Sequence, residues 1–89
     1  MQCKHIKIFG MVQGVGFRYY TEKIARKYNI VGTVENIDNY VDIYAQGDET
    51  SLAKFITAVT DGASPASHVE DYAIEEINVD HSWKKFKTI

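Results

Sequence analysis

The spacing between apolar residues changes along this chain, from two to between three and four and back again, and that alternation restricts it to a small set of mixed folds. Ile6 and Ile8 alternate with the polar neighbours His5 and Lys7, which predicts a first strand running up to Gly10. A glycine-bearing turn occupies Gly10 to Gly16. From Phe17 the period is helical. Phe17, Tyr20, Ile24 and Tyr28 fall on one face, while Glu22, Lys23, Arg26 and Lys27 fall mostly elsewhere. Asn29 suits the end of that helix.

Val31 to Glu35 and Val41 to Gln46 then read as two strands joined by a short polar turn, Asn36 to Tyr40. A second helix follows Gly47, with Asp48 or Thr50 as its cap and Leu52, Phe55, Ile56 and Val59 as its buried stripe. Gly62 stops it, and the stretch from Gly62 to Ser67 is a loop. Tyr72 to Ile74 and Ile77 to Val79 form a further strand whose alternation slips at Glu75-Glu76, the mark of a bulge. Phe86 to Ile89 supplies a short last strand. The order β-α-β-β-α-β predicts an α+β, ferredoxin-like sandwich, with two helices on one face of an antiparallel sheet and a short fifth strand. Eighty-nine residues make one domain, residues 1–89, with one core. Many unrelated activities share this fold, so function has to be argued from a site.

The formal charge of −2 argues against a protein whose main task is gripping nucleic acid, but it leaves room for one local cationic site. Cys3 is the only cysteine, so no internal disulfide forms and a reduced, cytoplasmic setting is expected. No apolar run is long enough for a signal peptide or a membrane span.

The segment Val12-Gln13-Gly14-Val15-Gly16-Phe17-Arg18 lies between the first strand and the first helix. Two glycines two apart allow a tight turn and bring main-chain N–H groups close to a ligand. No Ser, Thr, Asp or Asn stands just before Phe17, so the first helical N–H groups have no evident side-chain partner. An anion satisfies such groups, favoured by the positive end of the helix dipole. Arg18 adds a guanidinium fork that matches two phosphate oxygens. Glycine-rich turns also serve merely to redirect a chain, water also caps helices, and a first-turn arginine is commonly a solvated surface residue. Spacing alone leaves both alternatives open. No Gly-Lys-Ser/Thr follows, as a Walker loop requires, and the glycines do not match the dinucleotide fingerprint.

Gly10-Met11-Val12-Gln13-Gly14-Val15-Gly16-Phe17-Arg18 resembles the G-x-V-Q-G-V-G-F-R signature of the acylphosphatases, and Val31-Gly32-Thr33-Val34-Glu35-Asn36 resembles their second block, V-G-W-V-x-N. The Arg18-to-Asn36 interval, Ala45-Gln46-Gly47, the Gly62 to Pro65 loop and the last strand also fit, so the similarity spans nearly the whole chain. The resemblance implies hydrolysis of the carboxyl–phosphate bond of acyl phosphates with no metal or organic cofactor. Arg18 and the N–H groups of Gln13, Gly14, Val15, Gly16 and Phe17 would bind the phosphoryl group, and Asn36 would orient the attacking water. A cytoplasmic monomer acting on a small acyl phosphate, with no nucleic-acid or membrane partner, is the expectation. Two departures lie beside Asn36 and bear on turnover rate. Thr33 replaces the usual tryptophan, and the Asn36 to Tyr40 turn is about one residue shorter than the common form.

A carboxylate is a good leaving group, so such a site needs positioning and charge stabilisation more than a strong general acid. The main rival is a non-catalytic module of the kind found within larger carbamoyl-phosphate-handling proteins that assemble hydrogenase cofactors. Those carry zinc-finger cysteines, so one cysteine and an end at Ile89 favour the enzyme. A third possibility is a regulatory domain that senses a small anion, for which Asn36 would be superfluous. His5, His68 and His81 are scattered, away from metal-ligand spacing. The tyrosines lack the pattern of an RNA-recognition sheet. Glu70, Asp71, Glu75 and Glu76 read as a solvated face, and Lys84, Lys85 and Lys87 as protection of a strand edge.

Overall fold

Seven elements run through the computed structural model, which describes residues 1–89: β1 (Gln2–Met11), α1 (Phe17–Lys27), β2 (Val31–Ile37), β3 (Tyr40–Gly47), α2 (Glu49–Thr60), β4 (His68–Ile77) and β5 (Phe86–Thr88). They build one five-stranded sheet in the order β4-β1-β3-β2-β5. The first four strands pair antiparallel, and β5 runs parallel to β2 at the far edge. This is the ferredoxin-like sandwich, its fifth strand included.

Alternation sorts the strands into two faces. Ile6 and Ile8 of β1, Val34 of β2 and Val41, Ile43 and Ala45 of β3 are fully buried against the helices. From above, α1 contributes Phe17, Thr21 and Ala25, and α2 contributes Leu52, Phe55 and Val59. The buried row of α1 is thus rotated from the expected one. Tyr20, Ile24 and Tyr28 only flank the core, because small Thr21 and Ala25 let the helix approach the sheet closely. On the opposite face, His5 stacks on Tyr44 with centroids 4.2 Å apart and bonds Asp42 Oδ1 at 2.6 Å. Burial and the adjacent Asp42 push the Tyr44 phenol up.

The helix ends follow local rules. Asn29, at φ 57, terminates α1 in a left-handed residue, and the Ile30 N–H reaches back to Ala25 O at 2.8 Å. Asp48 caps α2 by accepting from the Ser51 N–H at 2.9 Å, and these bonds hold its carboxyl below the usual range. A folded-state value below the ordinary 3.8 means the cap stabilises fully at neutral pH and fades as pH falls through the folded value. Accordingly, Asp48→Ala should lower the urea midpoint at pH 7, and its gap from the parent should close in strong acid.

Two local expectations are corrected. Strand β4 is unbroken at Glu75-Glu76. The register shift lies between Phe9 and Gly10, where Phe9 pairs with Asp71 and Gly10 with Val69, leaving Glu70 as the extra residue. Both faces of this edge strand are largely exposed, so hydrophobic alternation along it carries little register information. The turn between β2 and β3 is also tighter than Asn36 to Tyr40. Ile37 pairs with Tyr40, so only Asp38 and Asn39 lie outside the ladder, and Asn36 sits inside β2 opposite Val41.

The segment between β4 and β5 crosses from one edge of the sheet to the other. Gln46, nearly fully buried, clamps it there. Its Nε2 donates to Asp80 O at 2.9 Å and its Oε1 accepts from the Asp80 N–H at 2.8 Å. That crossing carries Thr88 and Ile89 to the side of α1.

Candidate active site

By ordinary rules α1 begins badly. Its N-cap is Gly16, left-handed at φ 78 and ψ 15, with no side chain to cap the helix, and its first turn holds no acidic residue. Instead Arg18 places a positive charge at the positive end of the dipole. Helix α2, in the same molecule, starts with the Asp48 cap and Glu49 in its first turn. Stability alone therefore does not account for the start of α1. A helix start of this kind, with free N–H groups beside an arginine, has the chemistry that suits an anion.

The loop before the helix is built the same way. Gly14 is left-handed at φ 73, and a Cβ there would meet nothing within 4 Å. No N–H from Gln13 to Gly16 donates to a main-chain carbonyl. Arg18 spends one donor on the Ile89 main-chain oxygen, Nη1 to O at 2.9 Å, and the rest of its fork is uncommitted within the protein.

Asn36 shares the helix-side face of β2 with Val34. Its Oδ1 is buried and, like Thr21 Oγ1 and Ser64 Oγ, has no hydrogen-bond partner within the protein, and such an acceptor is available to an ordered water or a ligand. One cavity of about 420 Å³ gathers Gly14, Gly16, Phe17, Arg18 and Asn36. Gln13 and Val15, taken with them from the sequence, are not among its lining residues.

Val12, Tyr19, Glu22 and Thr88 complete the wall. Glu22 accepts from the Thr88 hydroxyl at 2.6 Å and pairs with Arg26 one turn on. Sequence reasoning missed Glu22, Thr88 and Ile89 as neighbours of the site. Glu22 was visible only as a helix-surface charge, and 66 and 71 residues separate the two bonded pairs that bring Thr88 and Ile89 in. No group of three or more His, Cys, Asp or Glu side chains gathers anywhere with metal-holding geometry. No helix is long and apolar enough to cross a membrane.

Taken together, the fold is that of a ferredoxin-like protein whose one cavity lined by Arg18 and Asn36 also holds two loop glycines and the start of a helix without a side-chain cap. A profile of the acylphosphatases matches residues 4–88, and the chain belongs to that family. It is 58% identical over 89 residues to the acylphosphatase of Staphylococcus haemolyticus (strain JCSC1435), covering all of both chains. The crystal structure of acylphosphatase from Bacillus subtilis superposes with a TM-score of 0.94 at 38% identity, over 100% of this chain and 99% of that one. A phosphate- and nucleotide-bound structure of full-length HypF matches with a TM-score of 0.91 at 35% identity, over 99% of this chain but 12% of that one.

Proposed function

We propose that this protein hydrolyses the carboxyl–phosphate bond of acyl phosphates, with Arg18 and the N–H groups of Gln13 to Phe17 holding the phosphoryl group and Asn36 orienting water. The carrying observation is that Asn36, whose Oδ1 is buried and has no partner within the protein, lines the same cavity as Arg18. An anion sensor needs the cradle but has no use for that acceptor.

In this mechanism the phosphoryl oxygens lie in the loop with the guanidinium across two of them. Asn36 Oδ1 accepts a hydrogen bond from a water aimed at phosphorus. The water oxygen bonds to phosphorus as the bond to the acyl oxygen breaks, and the electron pair leaves with the carboxylate. The water's proton passes to a phosphoryl oxygen, giving inorganic phosphate. Carboxylate departure needs no general acid, and the cradle supplies fixed charge stabilisation where the transition state spreads charge over the equatorial oxygens.

Residues 1–89 act in this proposal as a single cytoplasmic domain and a monomer, with a small acyl phosphate as partner and neither nucleic acid nor metal required. Benzoyl phosphate hydrolysis with a chelator present tests it. Turnover that is unaffected by the chelator, and that falls by about a hundredfold or more in a folded Asn36→Ala variant, is the expected result. Phosphate binding without turnover would instead support a non-catalytic module.

A further inference from the structure

Gln13 belongs to the loop by sequence, yet its side chain turns away to the β2–β3 hairpin. Its Nε2 donates to Tyr40 O at 2.9 Å and to Asp38 O at 3.2 Å. Two carbonyls converging on one amide atom identify that atom as the nitrogen. Asp38 is the left-handed residue of the turn, at φ 49, and Asn36 lies two residues before it.

The sheet order shows what this contact does. The loop hangs from β1, Asn36 stands on β2, and β3 runs between them. No ladder therefore joins the two halves of the site directly. No hydrogen bond other than those from Gln13 links residues 12–16 to the hairpin.

We infer that Gln13 is a positioning residue, a clasp that fixes the phosphoryl-binding loop relative to Asn36 and so sets the line of attack of water on phosphorus. The inference rests on the roles proposed above for Arg18 and Asn36. It assigns the Gln13 side chain a task separate from that of its N–H group. The shift it guards against is small but costly, since misplacing reacting groups by about 1 Å lowers rates by about a hundredfold.

A clasp and a simple structural staple differ in their kinetics. In Gln13→Met, which keeps the length and removes the donor, kcat for benzoyl phosphate should fall about ten- to a hundredfold. Inhibition by inorganic phosphate should change by less than about twofold, because the cradle itself is intact. In an Asn36→Ala background the same substitution should cost little more, since no positioned water remains to be misaligned. Gln13→Glu adds a second variant. Its ionised carboxylate faces two carbonyl oxygens, whereas the protonated acid donates to one. Its kcat relative to the parent should therefore recover as pH falls through the carboxyl range, while the ratio for Gln13→Met stays flat. With an active parent, an unchanged kcat in folded Gln13→Met would overturn the clasp alone. An equal loss with and without Asn36 would also overturn it. A parent inert toward benzoyl phosphate would overturn the proposed function together with the clasp.

Discussion

Arg18→Ala is expected to lower kcat/KM for benzoyl phosphate by about a thousandfold or more, the scale on which a guanidinium stabilises phosphoryl transfer. The folded state should survive the change. The bond lost to Ile89 O stabilises by about 1 kcal/mol. Removing a cation from the positive end of α1 offsets part of that loss. Arg18→Lys separates charge from shape. An ammonium keeps the charge but not the planar fork, so the activity should remain far below that of the parent. Phosphate provides an independent readout. A ligand that binds only the native state raises stability by about 2.7 kcal/mol at a hundredfold excess over its dissociation constant. The parent's unfolding midpoint should rise with added phosphate, and that of Arg18→Ala should hardly move. Full activity in folded Arg18→Ala would remove Arg18 from the mechanism.

The largest expected effect on stability lies at Gly32. Its φ is +143, and a Cβ there would sit 1.8 Å from Tyr44 O and 2.7 Å from the carbonyl carbon. Both neighbours are main-chain atoms of the paired strand β3, so neither side-chain rotation nor a small tilt relieves the overlap. Gly32→Ala should cost more than about 4 kcal/mol, a large part of the 5–15 kcal/mol that holds a domain of this kind together. Urea denaturation should find the variant largely unfolded or with a sharply lowered midpoint. Gly14→Ala makes the contrast. Its left-handed backbone costs roughly 1–2 kcal/mol with an added Cβ, but the space around it is open. That variant should fold and lose phosphate affinity, because the methyl group is added to the loop proposed to hold the phosphoryl group. Equal losses of stability in the two variants would contradict this account of the loop.

Much of the molecule was legible before any tertiary contact was known. The change of hydrophobic period gave the element order, and Asn29 and Gly62 mark helix ends by short-range rules, whereas for the cap of α2 those rules allow both Asp48 and Thr50, and the structure selects Asp48. The missing side-chain cap at the start of α1 was legible too, and the structure bears it out, while the phosphoryl-binding role of that loop came from the family resemblance. Register on the exposed edge strand could not be read, since neither face of β4 is buried and nothing penalises a slip of one residue. Gln13 was legible as a loop residue, but the direction of its side chain was not.

The sequence by itself determined the elements and their order, because period, caps and turn residues act over a few positions, and its resemblance to the family supplied the roles proposed for Arg18 and Asn36. Only the tertiary structure decided which groups meet. The β4–β5 crossing brings Ile89 to Arg18 and Thr88 to Glu22, and the insertion of β3 between β1 and β2 leaves Gln13 to bridge loop and hairpin. Those contacts depend on long-range chain closure and burial, which no local pattern of residues encodes.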